Sequence, residues 1–257
     1  MTQPATPVPQ PNIKILSTLD VKLAQPWWQW FSSLSNTLAQ LTGGPNPGGG
    51  PAIVTGFKWV LFTASQTWTV PPNTTEIMFE GWAAGGSGGG SLIVGPQRSS
   101  AGAGGGYMML KPPVLDTSYV LTVGAGGAAV NASNTGNAGN AGGNTVVTGT
   151  NLGTYTANGG GGGAIGANAG GGGGAAPAVD AKCVIGLRGE DGESSGGGAL
   201  SFLVSTGGNS PRGGRGGRAN VGVGGNVPGG GGTPSNHTGT GDLSGPGANG
   251  WILAWYR

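Results

Sequence analysis

Charge is scarce in this chain. Charged residues make up 8% of the 257, against about 25% in an ordinary soluble domain. Cysteine occurs once, at Cys183, and histidine once, at His237. A single cysteine excludes an internal disulfide, and no motif surrounds it, so Cys183 reads as a small buried residue rather than a nucleophile. One His without a CxxC pair or a carboxylate cluster excludes the common zinc sites. It also leaves no Ser-His-Asp trio to assemble, and no phosphate-binding GxxxxGK motif occurs. No cofactor is therefore expected. No run of about 18 apolar residues is present, so no helical membrane span is expected. The opening MTQPATPVPQPN has no basic stretch followed by an apolar one, so no secretory leader is expected either.

Glycine fills much of the space left by these absences. The chain holds 61 glycines, the residue that loses the most backbone entropy on folding. Such a bias often marks a disordered chain. A net charge of only +2 and eight Trp argue for a folded one. Collagen is excluded, because GGYMMLKPPVLDTSYVL breaks the strict every-third-residue glycine.

Three regions follow one another. Residues 1–42 read as an attachment or oligomerisation segment, 43–56 (with GGPNPGGGP at 43–51) as a linker, and 57–257 as a glycine-rich β-domain. Residues 1–12 are Pro- and Gln-rich and cannot build a core. Pro26 suits a first helical position, and Trp27, Trp30, Phe31, Leu34, Leu38 and Leu41 follow at helical spacing. Trp28 extends the aromatic cluster, and Gly43-Gly44 stops the helix. One short helix cannot bury such a stripe alone. It packs either on its own domain or, as we favour, against copies of itself or another protein. The anchor residues are therefore Trp27, Trp28, Trp30, Phe31, Leu34 and Leu38.

From Phe57 onward the pattern has period two. FKWVLFTA (57–64), QTWTV (66–70), TEIMFEGWAA (75–84) and NGWILAWYR (249–257) read as strands. GYMMLKPP (106–113) and SYVLTVGA (118–125) are expected to pair with each other. NTVVTGT (144–150) and LGTYTA (152–157) form a weaker hairpin, and SFLVST (201–206) is a further candidate strand. Trp59, Trp68, Trp82, Trp251 and Trp255 all lie at the two ends of this domain. The core therefore joins its ends, with the last strand returning to the first. The fold expected is mainly β, an antiparallel β-sandwich-like domain with polyglycine II-type loops behind a short helical anchor.

The runs 85–90, 102–106, 159–163, 170–174, 196–198, 213–217 and 229–232 are numerous enough to form a bundle of threefold helices. Without side chains such helices pack closely and hydrogen-bond sideways, as collagen chains do in part. On that expectation Gly161 and Gly172 both sit where a Cβ would collide. GEDGESS (189–195) lacks calcium-loop spacing and reads as a solvated turn. PRGGRGGR (211–218) carries three Arg without aromatic neighbours, so nucleic acid is not the expected partner. Arg212, Arg215, Arg218, Asn236 and His237 become the receptor-binding candidates.

FTASQTWTVPPNTTEIMFEGWAAGGSGGG (62–90), GGGYMMLKPPVLDTSYVLTVGAGGAA (104–129) and GPGANGWILAWYR (245–257) together resemble the glycine-rich domain common in bacteriophage tail-fibre and related virion proteins. The runs are similar, more loosely, to polyglycine tail-tip adhesins, from which they depart in being shorter. PWWQWFSSL is similar to short aromatic anchors of small phage structural proteins. The resemblance implies a non-enzymatic virion protein, made in the host cytoplasm, a tail fibre or fibre tip. It would bind other virion proteins through residues 1–42, form a homo-oligomer with a trimer as the family-level expectation, and recognise a host-surface glycan or outer-membrane protein. Two alternatives stay open: a head or tail decoration protein, and a Gly/Arg-rich nucleic-acid-binding or bacterial surface protein.

Overall fold

The computed structural model describes residues 56–92, 99–165, 170–193, 205–218, 222–237 and 242–257. The chain divides into the units Met1–Thr55 and Gly56–Arg257, of which the second is described. The expected anchor helix and its residues lie outside the described set.

Alternating apolar residues form the strands. β1 (Lys58–Phe62), β3 (Ile77–Trp82), β5 (Tyr107–Leu110), β9 (Cys183–Leu187) and β11 (Trp251–Tyr256) make one antiparallel sheet, in the order β1-β11-β3-β5-β9. A second antiparallel sheet has the order β2-β6-β7-β8, from β2 (Gln66–Thr69), β6 (Ser118–Thr122), β7 (Thr145–Gly149) and β8 (Gly153–Ala157). β4 (Gly90–Leu92) and β10 (Ser235–His237) form a short parallel pair. Among the described residues there is no helix.

The last strand returns to the first, with Trp59 opposite Trp255 and Leu61 opposite Leu253. The expected pairing of 106–113 with 118–125 does not occur. β5 lies between β3 and β9, while β6 lies between β2 and β7 in the other sheet. The reason lies in side-chain placement: Met108 and Leu110 from β5, and Tyr119 and Leu121 from β6, all enter the one core from opposite sheets. Residues 201–204 of SFLVST are outside the described set. β9 carries no aromatic and no clean alternation, and sequence reading missed it.

Trp68 sits at the centre of the core's aromatic cluster, with ring centroids 5.8 Å from Phe79, 5.9 Å from Phe62, 5.7 Å from Tyr256 and 6.3 Å from Tyr119. Cys183 is buried in this core, and burial pushes its thiol above the usual range, which makes it inert. Asp116 ties the β7–β8 turn down, accepting the amides of Asn151 at 2.8 Å and Leu152 at 3.3 Å. On the other face of the five-stranded sheet Trp82 and Tyr107 are buried, while the β1 edge is open. Trp59 is 62% exposed there, and Glu80 accepts the Tyr107 hydroxyl at 2.8 Å and the Trp255 indole N–H at 3.0 Å.

Beyond the sheets the glycine-rich chain makes a single body. Segments 83–90, 124–130, 158–164, 188–193, 213–218 and 229–235 run outward. Segments 99–106, 137–143, 170–175, 205–210, 222–227 and 243–250 return. Their mutual hydrogen bonds recur every third residue. Along 83–90, the amides of residues 83, 86 and 89 donate to 99–106; those of 84, 87 and 90 donate to 137–143; those of 85 and 88 donate to 243–250. Its carbonyls accept from 124–130, 158–164 and 229–235. A period of three with no bond inside the segment is the geometry of a threefold extended helix.

Candidate functional site

Six neighbours around one threefold helix define hexagonal packing, and three segments have it. The second is 99–106, which donates to 158–164, 188–193 and 229–235 and accepts from 83–90, 170–175 and 205–210. The third, 229–235, touches 83–90, 99–106, 205–210, 213–218, 222–227 and 243–250 in the same way. Every residue of these three segments is buried. The other nine form a closed ring around them.

The packing leaves no room for side chains at most positions. A Cβ on Gly86 would lie 2.1 Å from the Gly161 carbonyl oxygen, and one on Gly163 would lie 2.0 Å from that of Ser100. Most ring glycines, Gly163 among them, are as tight, and only a few outward positions are open. At Gly161 the nearest atom is the Gly172 nitrogen at 3.0 Å, and at Gly172 nothing lies within 4 Å. The expectation that Gly172 collides is therefore corrected, because that residue faces outward from the ring.

Amides on the ring that point away from the bundle would lack partners, and polar side chains from neighbouring segments supply them. Asn144 Oδ1 accepts the Gly159 amide at 3.0 Å, Asp191 Oδ1 that of Gly173 at 2.7 Å, and Asn209 Oδ1 that of Gly216 at 2.9 Å. Glu193 accepts the amide of Thr206 at 3.0 Å. Residues 189–193, read from sequence as part of a solvated turn, are thus a ring segment. Its acids stay exposed but carry out capping. The hydrogen bond to Gly173, joined by the ion pair with Arg188, holds Asp191 below the usual carboxylate range.

The receptor-binding candidates separate in space. Arg212 lies at the sheet end, with φ +53°. Its guanidinium donates to the Tyr107 hydroxyl at 3.2 Å and stacks 5.5 Å from that ring's centroid. Arg215 and Arg218 lie further out along 213–218, both exposed. Asn236 and His237 are in β10, paired with Ser91 and Leu92 of β4. That end of the bundle is closed by the bridges Ser91–Ser133, Ser99–Ile165 and Asn131–Leu243. Residues 93–98, 166–169, 194–204, 219–221 and 238–241 lie outside the described set.

Among the described residues no cluster of His, Cys, Asp or Glu could hold a metal ion, and no helix is long and apolar enough to cross a membrane. A cleft of about 700 Å³ runs over the outer surface of segments 188–193, 205–210, 213–218 and 222–227, and its walls include Glu190, Glu193, Arg215 and Arg218. Sequence reading named the arginines of this cleft and assigned its acids to a solvated turn.

Residues 62–257 match the glycine-rich domain family. The match spans more than half of the chain, which therefore belongs to that family. No curated protein matches it.

Proposed function

We propose that this chain is a non-enzymatic virion appendage protein, a tail fibre or fibre-tip component of a bacteriophage. Residues 1–42 attach it to other virion proteins and to copies of itself, with three copies expected. The polyglycine II-type bundle then recognises the surface of the host. The observation that carries this reading is the bundle itself. Three buried helices built from Gly, Ala, Ser, Thr and Pro, inside a ring of nine, give a rigid body cross-linked by backbone hydrogen bonds. All its distinctive side chains are at the rim, where recognition takes place on a fixed frame.

Immunogold labelling tests it directly. Antibody raised against residues 57–257 should decorate purified particles at the tips of their fibres, and the purified chain should adsorb to host cells. Unlabelled particles, or label on the head alone, would overturn the assignment.

A further inference from the structure

The cleft over the ring carries a repeated pattern. The backbone brings Glu190, Asn209 and Arg215 to one level: the Glu190 amide donates to the Asn209 carbonyl at 2.9 Å, and Asn209 Nδ2 donates to Glu190 Oε2 at 2.6 Å. Asn209 Oδ1 in turn accepts the Gly216 amide, next to Arg215. Glu193, Thr206 and Arg218 make a second level. The Glu193 amide donates to the Thr206 carbonyl at 2.9 Å, and Thr206 bridges Arg218. Each level crosses the face as carboxylate, neutral polar group and guanidinium. The levels are three residues apart in all three segments, one turn of a threefold helix, or about 9 Å.

Neither the Arg215 nor the Arg218 guanidinium has a hydrogen-bond or ion-pair partner among the described residues. Each Glu has donated contacts from one side only and keeps free lone pairs. Glu190 and Glu193 share the cleft with Arg215 and Arg218, and the third carboxylate of its lining, Asp191, is paired with Arg188, so the levels cancel in charge. A polyanion would gain from the arginines and lose to the glutamates. A hydroxyl both donates and accepts, so a polyol suits each level, with Arg forks donating to oxygens and Glu accepting from O–H groups.

We infer that this cleft binds a neutral, linear glycan lying along the bundle axis, whose repeat places equivalent hydroxyls on successive levels. The inference rests on the surface-recognition reading and names its ligand class.

The test uses the purified full chain on an array of linear neutral glycans (β-glucan, galactomannan and chitooligosaccharide), with heparin and oligothymidylate as polyanions. The parent chain should bind a neutral glycan with little salt dependence. Arg215→Gln and Arg218→Gln should each weaken binding about tenfold. Glu190→Gln with Glu193→Gln should weaken it too, all with unchanged melting temperatures. Failure to bind any neutral glycan, undiminished binding by the double Arg variant, or salt-sensitive binding of the polyanions alone would each overturn it. Adsorption to cells, measured in parallel, keeps the two proposals apart. A double Arg variant that adsorbs as well as the parent removes the cleft but leaves surface recognition standing.

Discussion

The hydroxyl of Thr145 donates to the carbonyl of Trp82 at 2.8 Å and accepts the amide of Gly124 at 3.1 Å. This buried side chain joins the end of β3, the start of β7 and the first residue of a bundle segment. It is the point where both sheets pass into the glycine-rich body. Thr145→Val keeps the shape and strands two buried polar groups, each costing about 1–3 kcal/mol. Chemical denaturation should show a loss of that order, while Thr145→Ser should recover most of it.

The glycines divide by position, and substitutions should divide with them. Gly86→Val and Gly163→Val place a Cβ about 2 Å from a backbone oxygen, inside a body too close-packed to yield. Both should prevent a stable fold or leave only a partly ordered one, seen as lost cooperativity in calorimetry. Gly172→Ala meets nothing within 4 Å, and should be neutral or stabilising by up to about 1 kcal/mol. Equal damage at Gly86 and Gly172 would contradict the packing.

Stability should fall at both ends of the pH scale. The Lys111 ion pair, helped by Arg257, holds Glu76 below its ordinary value despite partial burial. A depressed carboxylate stabilises the fold above its unfolded value, and that contribution disappears as pH drops below about 4.5. Glu76→Gln should reduce this acid limb, the remainder coming from Asp180 and Asp191, which hydrogen bonds also hold below the usual carboxylate range. The Tyr155 hydroxyl donates to Asp180 at 2.6 Å, and the carboxylate raises Tyr155 to about 12. That contribution is complete below about 10 and is lost as pH rises towards 12. Tyr155→Phe should shrink the alkaline limb of melting curves recorded across this range, the remainder coming from Tyr107 and Tyr119, whose hydroxyls burial also raises.

The anchor expectation concerns residues outside the described set, and mutation can reach it. Replacing Trp27, Trp30 and Phe31 with Ala should release the protein from its particle, since each buried aromatic lost costs about 3–5 kcal/mol. Its near-ultraviolet circular dichroism should persist, because the aromatic cluster around Trp68 is intact. Unchanged particle occupancy would count against the anchor.

Where side chains write the pattern, the sequence was readable. β1, β3, β7, β8 and β11 follow their alternating aromatic and β-branched residues, and the return of β11 to β1 follows from the Trp distribution. The partners of β5 and β6 were not readable, since both runs are apolar and either could face either sheet. Ring segments such as 124–130 and 137–143 escaped notice because Ala and Asn interrupt their glycines. Glycine carries no register code, so which run touches which follows from the lattice as a whole. The cleft did leave a signal. Glu190 and Glu193, Thr206 and Asn209, and Arg212, Arg215 and Arg218 all recur at three, a period that helix and strand templates do not search.

Amide hydrogen exchange tests the bundle most directly. Protection should be continuous along 83–90, 100–106 and 229–235, apart from Pro234, because their amides donate within the lattice. On the ring it should recur with period three. Gly171 donates to Ala101 and Gly174 to Gly104, so both should exchange slowly, whereas outward-facing Gly172 should exchange fast. Uniformly fast exchange from Gly170 to Ala175 and along 83–90 would mean that the glycine-rich chain is a set of mobile loops and not a bundle.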